Sequence, residues 1–243
     1  MKRYYLLIIS ICFLIISPAP GHAEESKWNE EGELSYIDTG GNSDILTLSI
    51  KNLLKYKFSE KTSGSWKAGF LYGKSGGVKN AENYRTELRA DHLLSERLYS
   101  SVIAGWLKDT FSGIDPRYYL GPAIGYKFLM GPEHFLNGEA GLDYVKEKYT
   151  DKTDSSYMRG RTFAEYNYAF SKKSKFIQSI EFLYDFSESK NYNINSVTAI
   201  ISSLSDYLSL KMSHELKYDH EPVPSTLDKT DTLLAVSLLV NIN

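Results

Sequence analysis

Residues 46–58 alternate with a period of two. Leu46, Leu48, Ile50, Leu54, Tyr56 and Phe58 share one face, and Thr47, Ser49, Lys51, Lys55 and Lys57 share the other. An amphipathic helix would repeat its apolar positions about every 3.6 residues, so this stretch reads as a β-strand with one apolar and one polar face. The same unit recurs. After a turn-rich segment at 109–117, Tyr118, Leu120, Pro122, Ile124, Tyr126 and Phe128 oppose Tyr119, Gly121, Ala123, Gly125 and Lys127. About twelve such strands follow one another, each long enough for the roughly 9–11 residues a tilted strand needs to cross a bilayer. Residues 197–204 are the ambiguous member, apolar or small on both faces. No linker or low-complexity segment interrupts the series, so residues 24–243 read as one all-β, antiparallel domain.

The N-terminus sets the compartment. Lys2 and Arg3 precede an apolar run over 4–16, followed by small residues at Gly21 and Ala23. This is the pattern of a cleavable signal peptide over 1–23, and the run is too short for a spanning helix. The one cysteine, Cys12, lies within it. A mature chain without cysteine has no disulfide, no thiolate nucleophile and no cysteine-ligated zinc. The formal charge of −2 becomes more negative once Lys2 and Arg3 leave, which gives no sign of nucleic-acid binding.

Alternation does not say which face points outward. Three features favour apolar-out, the arrangement of an outer-membrane barrel. Connections are expected to alternate between short turns, as at 95–96, 171–173 and 205–206, and longer polar loops, as at 73–83 and 219–230. Nineteen tyrosines are many for 243 residues. Apolar-face aromatics gather at both strand ends, as interfacial rings do. The opposite face carries both signs of charge: Lys51, Arg85, Glu87, Arg89, Asp91, Glu139, Asp143, Arg159, Arg161, Glu165, Glu181, Asp185, Lys211 and Glu215. These are the candidate lumen residues. Inward Leu53, Leu71, Leu107, Phe163 and Leu183 predict a constricted interior. Spanning strands in lipid must satisfy every backbone group, which requires closure into a barrel.

Gly41-Asn42-Ser43-Asp44, the stretch Asp109-Thr110-Phe111-Ser112-Gly113-Ile114-Asp115-Pro116-Arg117, the strand end Gly125-Tyr126 and Glu139-Ala140-Gly141-Leu142 resemble a family described as salt-induced outer-membrane proteins, a family with a domain of unknown function. The resemblance covers about residues 28–243. It implies a bacterial outer-membrane barrel and no reaction. The chain departs from such barrels in ending Ile242-Asn243 rather than in an aromatic residue.

Chemistry beyond the barrel is sparse. Asp109, Asp115 and Arg117, in or beside one long loop, are candidate ligand contacts, although loop capping by Asp and Pro explains them more simply. The segment 40–44 reads as a hairpin turn. His214 falls on the lipid-facing side; with a turn at 205–206 its cross-strand partner is near Ala199, so no serine nucleophile is in reach. The expectation is an integral outer-membrane protein, a structural envelope component or narrow pore, not an enzyme and without cofactor or metal. A lipid- or lipopolysaccharide-modifying hydrolase is the alternative, and a surface-binding module using the long loops the second. Expected partners are outer-membrane lipid, lipopolysaccharide and the barrel-assembly machinery.

Overall fold

The computed structural model describes residues 26–39 and 45–242. The signal-peptide reading and the turn at 40–44 lie outside the described residues. Twelve strands follow in order: β1 (Trp28–Thr39), β2 (Ile45–Lys57), β3 (Thr62–Ser75), β4 (Val78–Leu93), β5 (Leu98–Asp109), β6 (Ile114–Met130), β7 (His134–Tyr149), β8 (Asp154–Ala169), β9 (Ser174–Asp185), β10 (Tyr192–Ser203), β11 (Leu208–Asp219) and β12 (Thr230–Ile242). Each pairs antiparallel with its sequence neighbours, and β1 pairs with β12, so the sheet closes into a barrel without an edge.

The pleat decides the faces. Outward apolar side chains lie bare, Leu234 at 66 %, Leu88 at 60 % and Val102 at 52 % exposure, whereas inward Val145, Leu239 and Ile103 are covered. A wall this apolar is at home in lipid and not in water, because the polar groups are on the inside. The chain is therefore a transmembrane barrel. Aromatic clusters mark both edges of the apolar band. Trp28 packs on Tyr56 at 4.3 Å and Tyr126 on Phe128 at 5.2 Å near one end; Phe70 packs on Tyr84 at 5.2 Å and Tyr192 on His220 at 4.5 Å near the other. The ambiguous strand is regular β10. Its inner Ala199 and Ile201 are buried against the lumen contents, which is why both of its faces are apolar or small.

The stretch 73–83 is not a loop: β3 runs to Ser75, β4 starts at Val78, and Gly76-Gly77 make the whole turn, both with positive φ. Backbone pairing sets no demand on side-chain polarity, so Lys74 and Lys79 look loop-like in sequence while pairing with each other on the ladder, and Asn80 is the extra residue of a bulge beside them. The long connection at that end is 220–229, between β11 and β12. This is the loop end, yet its connections at 76–77, 110–113 and 150–153 are as short as those of the opposite, turn end, so among the described residues the expected alternation of short turns and long loops holds only at 186–191 and 220–229. The turn end holds the start of β1 and the end of β12.

Two inner-face glycines shape the lumen. A Cβ on Gly105 would fall 2.1 Å from the Tyr119 ring, and one on Gly125 would fall 2.2 Å from the Tyr99 ring. Gly105 faces Tyr119, and Gly125 faces Tyr99, directly across the β5–β6 ladder. Each tyrosine therefore lies flat over the neighbouring strand. Its hydroxyl reaches a carboxylate further round the wall, Tyr119 to Glu87 and Tyr99 to Glu139, both at 2.8 Å.

Candidate functional site

The inward face of the strands builds a polar lumen of about 1180 Å³. Glu139 on β7 is the hub of its β4–β8 side. The Arg89 guanidinium donates to both carboxylate oxygens, 2.6 Å to Oε1 and 3.0 Å to Oε2, reaching across β5 and β6. Tyr99 adds its 2.8 Å bond to Oε1, and Arg161 donates to Oε2 at 3.2 Å. Arg89 also holds Asp91, and Arg161 sits 3.7 Å from Glu181. A bidentate arginine–carboxylate pair fixes orientation as well as charge. Arg159 pairs with Asp143 at 2.7 Å and lies over the Tyr119 ring at 5.4 Å.

A second group stitches the β1–β12 seam. Lys211 on β11 donates to Glu33 on β1 at 2.8 Å, and Ser237 on β12 donates to the same carboxylate at 2.9 Å. Lys51 on β2 pairs with Glu215 on β11, spanning both seam strands.

The loop end is closed differently. Glu147 is 1 % exposed and accepts from Arg117, Tyr149 and Tyr157. Beside it Asp109 accepts from Asn83 at 2.6 Å and from Lys217 at 3.1 Å. Six steps round the ring separate β5 from β11, so Asp109 and Lys217 face each other across the lumen. The walls there approach within the combined reach of one lysine and one aspartate. Two connections complete the cover. Ser112 donates to Asp231 at 3.1 Å, and Gly113 packs so closely under the Val223 carbonyl that a Cβ would lie 1.8 Å from that oxygen.

The turn end is open by contrast. Lys55, Lys57, Lys61 and Lys67 line it and are exposed, and of these only Lys67 has an acidic partner among the described residues, Glu87 at 3.4 Å.

The remaining sequence candidates fall in several places. Glu165 accepts from Asn167 at 2.9 Å. Arg85 lines the lumen and makes no ion pair within 4 Å among the described residues. Asp185 caps the β9–β10 connection, accepting from the Ser187 backbone at 2.7 Å. The supposed loop residues Asp109, Asp115 and Arg117 are on strands, because the connection itself is only the short 3-10 turn Thr110–Ser112 and Gly113. Asp109 and Arg117 point inward, whereas Asp115 pairs with outward Lys108 at 2.6 Å. Strand parity puts Glu147, Lys217 and Tyr119 on the polar face, but they are not among the lumen candidates, nor are Glu33, Asn83 and the inward Tyr99, Tyr149 and Tyr157. Nothing local announces a tyrosine laid over a glycine.

His214 faces outward and is paired with Thr198 on β10, one residue from the expected Ala199, and with Leu234 on β12. Thr198 donates to Gln178 at 2.6 Å instead, so no hydroxyl is set up as a nucleophile beside the imidazole. Among the described residues no group of three His, Cys, Asp or Glu side chains converges to hold a metal ion.

Comparison with solved structures agrees with this architecture. The translocator domain of the autotransporter NalP from Neisseria meningitidis superposes with a TM-score of 0.53 at 10 % identity, covering 91 % of this chain and 90 % of that one. An outer membrane channel from Pseudomonas putida F1 gives 0.53 at 8 % identity, over 88 % and 94 %. At such identities the likeness is one of fold. In sequence, the chain is 24 % identical over 210 residues to the uncharacterized protein YdiY of Escherichia coli (strain K12), covering 86 % of this chain and 81 % of that protein. Residues 32–242 match the family model described as "Protein of unknown function, DUF481", and the chain belongs to that family.

Proposed function

We propose that the protein is an integral outer-membrane barrel acting as a narrow pore for small hydrophilic solutes, with its resistance concentrated at the loop end. The observation that carries this reading is the lumen lined by both signs of charge, which extends from Lys57 and Lys61 at the turn end to Leu227 and Asp231 beneath the loop-end cover. A barrel serving only as a wall has no need of a wet interior of that length, and twelve strands lie between the side-chain-filled eight-stranded barrels and the open sixteen-stranded porins. In this reading a signal peptide cleaved after Ala23 exports the chain, the assembly machinery inserts it, and the loop end faces outward among lipopolysaccharide.

Planar-bilayer recording of the purified barrel, with heat-modifiable gel migration as the folding control, tests it. Discrete conductance steps are expected. A folded barrel that stays silent at all voltages would remove the pore and leave a structural envelope role.

A further inference from the structure

The outer wall carries a feature the pore does not use. Between β3 and β7 a groove of about 590 Å³ is cut into the lipid-facing surface. That volume falls within the roughly 300–1,000 Å³ of ligand sites. It exists because short side chains sit in a row of large ones: outward Thr86 and Ala104 form the floor, while Trp66, Trp106 and Tyr118 form walls. The Trp66 indole donates to Thr86 at 2.7 Å and is thereby held at the groove edge.

The groove has a charged end. Lys146 lines it, paired across the β6–β7 ladder with Tyr118, and Lys148 lies two positions further on the same exposed face. Neither makes an ion pair within 4 Å among the described residues. The acid outside β5–β6 at this height, Asp115, is taken up by Lys108. Elsewhere the wall differs. The outward loop-end positions of β10–β12, among them Tyr192, Ile194, Leu216, Tyr218 and Thr230, carry no lysine or arginine of their own, and Lys229 flanks them without an apolar slot.

We propose that this groove is a binding site for a phosphorylated, acylated glycolipid of the leaflet at the loop end, one acyl chain lying over Thr86 and Ala104 and a phosphate held by Lys146 and Lys148. An apolar slot ending at Lys146, with Lys148 beside it facing Asp154 across the β7–β8 ladder and making no ion pair within 4 Å among the described residues, complements a molecule with a chain at one end and a phosphate at the other. Next to a low-dielectric bilayer such a charge contact is much stronger than in water.

The test is native mass spectrometry of the detergent-purified barrel titrated with bisphosphorylated lipid A, with its fully dephosphorylated form and with phosphatidylglycerol. Bisphosphorylated lipid A is expected to bind at least tenfold more tightly than either of the others. The double substitution Lys146→Glu, Lys148→Glu should lower that affinity at least tenfold. Ala104→Trp, which fills the slot and leaves the charges, should do the same; if it fails the gel-migration folding control, Thr86→Leu takes its place. Lys172→Glu with Lys173→Glu, at the opposite rim, should change nothing. The proposal is overturned by equal binding of the dephosphorylated lipid, by phosphatidylglycerol binding as tightly, by a filled slot that binds normally, or by a barrel dimer that buries the groove.

Discussion

The two ends of the lumen hold charge in opposite ways. At the loop end Glu147 and Asp143 are 1 % exposed and each is locked to an arginine, while Asp109 is bridged across the barrel by Lys217. At the turn end Lys55, Lys57 and Lys61 stand in open solvent without acidic partners among the described residues. A buried carboxylate must be paired to be tolerated, so the loop end exchanges freedom for rigidity. An exposed lysine costs little to leave alone and keeps its field directed into the mouth. One end is a wall of mutual constraint and the other a cationic entrance.

The strongest way to break the contrast is Arg117→Ala. It strands Glu147 in a buried site, and losing one partner of a buried pair costs about 3–5 kcal/mol. Urea unfolding in lipid vesicles should show a clear fall in the midpoint; an unchanged midpoint would mean that Tyr149 and Tyr157 suffice. Gly105→Ala should come next, at about 1–3 kcal/mol, because the new methyl drives the Tyr119 ring from the wall and its hydroxyl from Glu87. The same unfolding experiment reads it, and a loss below the size of an ordinary surface change would show that the ring finds another rest position.

Lys217→Ala should act on permeability more than on stability. Removing the bridge to Asp109 is expected to raise single-channel conductance at least twofold in planar bilayers; an unchanged step size would place the barrier elsewhere. The smallest structural effect belongs to Lys55, Lys57 and Lys61 changed together to Gln. The unfolding midpoint should stay put while the reversal potential in a salt gradient shifts away from anion preference. If the midpoint fell instead, the turn end would be as interlocked as the loop end.

Much of this was legible in residue order, for a physical reason. In a barrel every strand has the same two environments, so parity around Leu48 or Tyr126 assigns the inside and the outside at once. Lys51, Arg89, Glu139 and Arg161 follow from that rule alone. The partners do not. Arg89 finds Glu139 three strands away and Lys217 finds Asp109 half a circumference away, and such distances depend on closure and cross-section, which no local pattern encodes. Polar residues such as Lys74 and Lys79 imitate irregular backbone, whereas Gly76-Gly77 hold the actual turn signal. Gly, Asp and Pro around Asp109 and Arg117 likewise speak of turns, yet the ladder runs through both residues.

Among the described residues the seam between β1 and β12 registers over five pairs, from Glu30 with Ile242 to Leu34 with Leu238, whereas β1 and β2 register from Trp28 to Thr39. Every other ladder joins strands adjacent in the chain, so the molecule can be thought of as a run of local hairpins and one ring closure. The entropy of bringing distant segments together is concentrated at that single join. Ser35 meets the Val236 carbonyl there at 2.8 Å, across a sequence separation of 201 residues. A ladder that short gives closure little backbone reward, and the Glu33, Lys211 and Ser237 cluster supplies a latch just behind it. Closure therefore leans on side chains as well as on backbone. Glu33, gripped by Lys211 and Ser237, helps decide whether the ring stays shut.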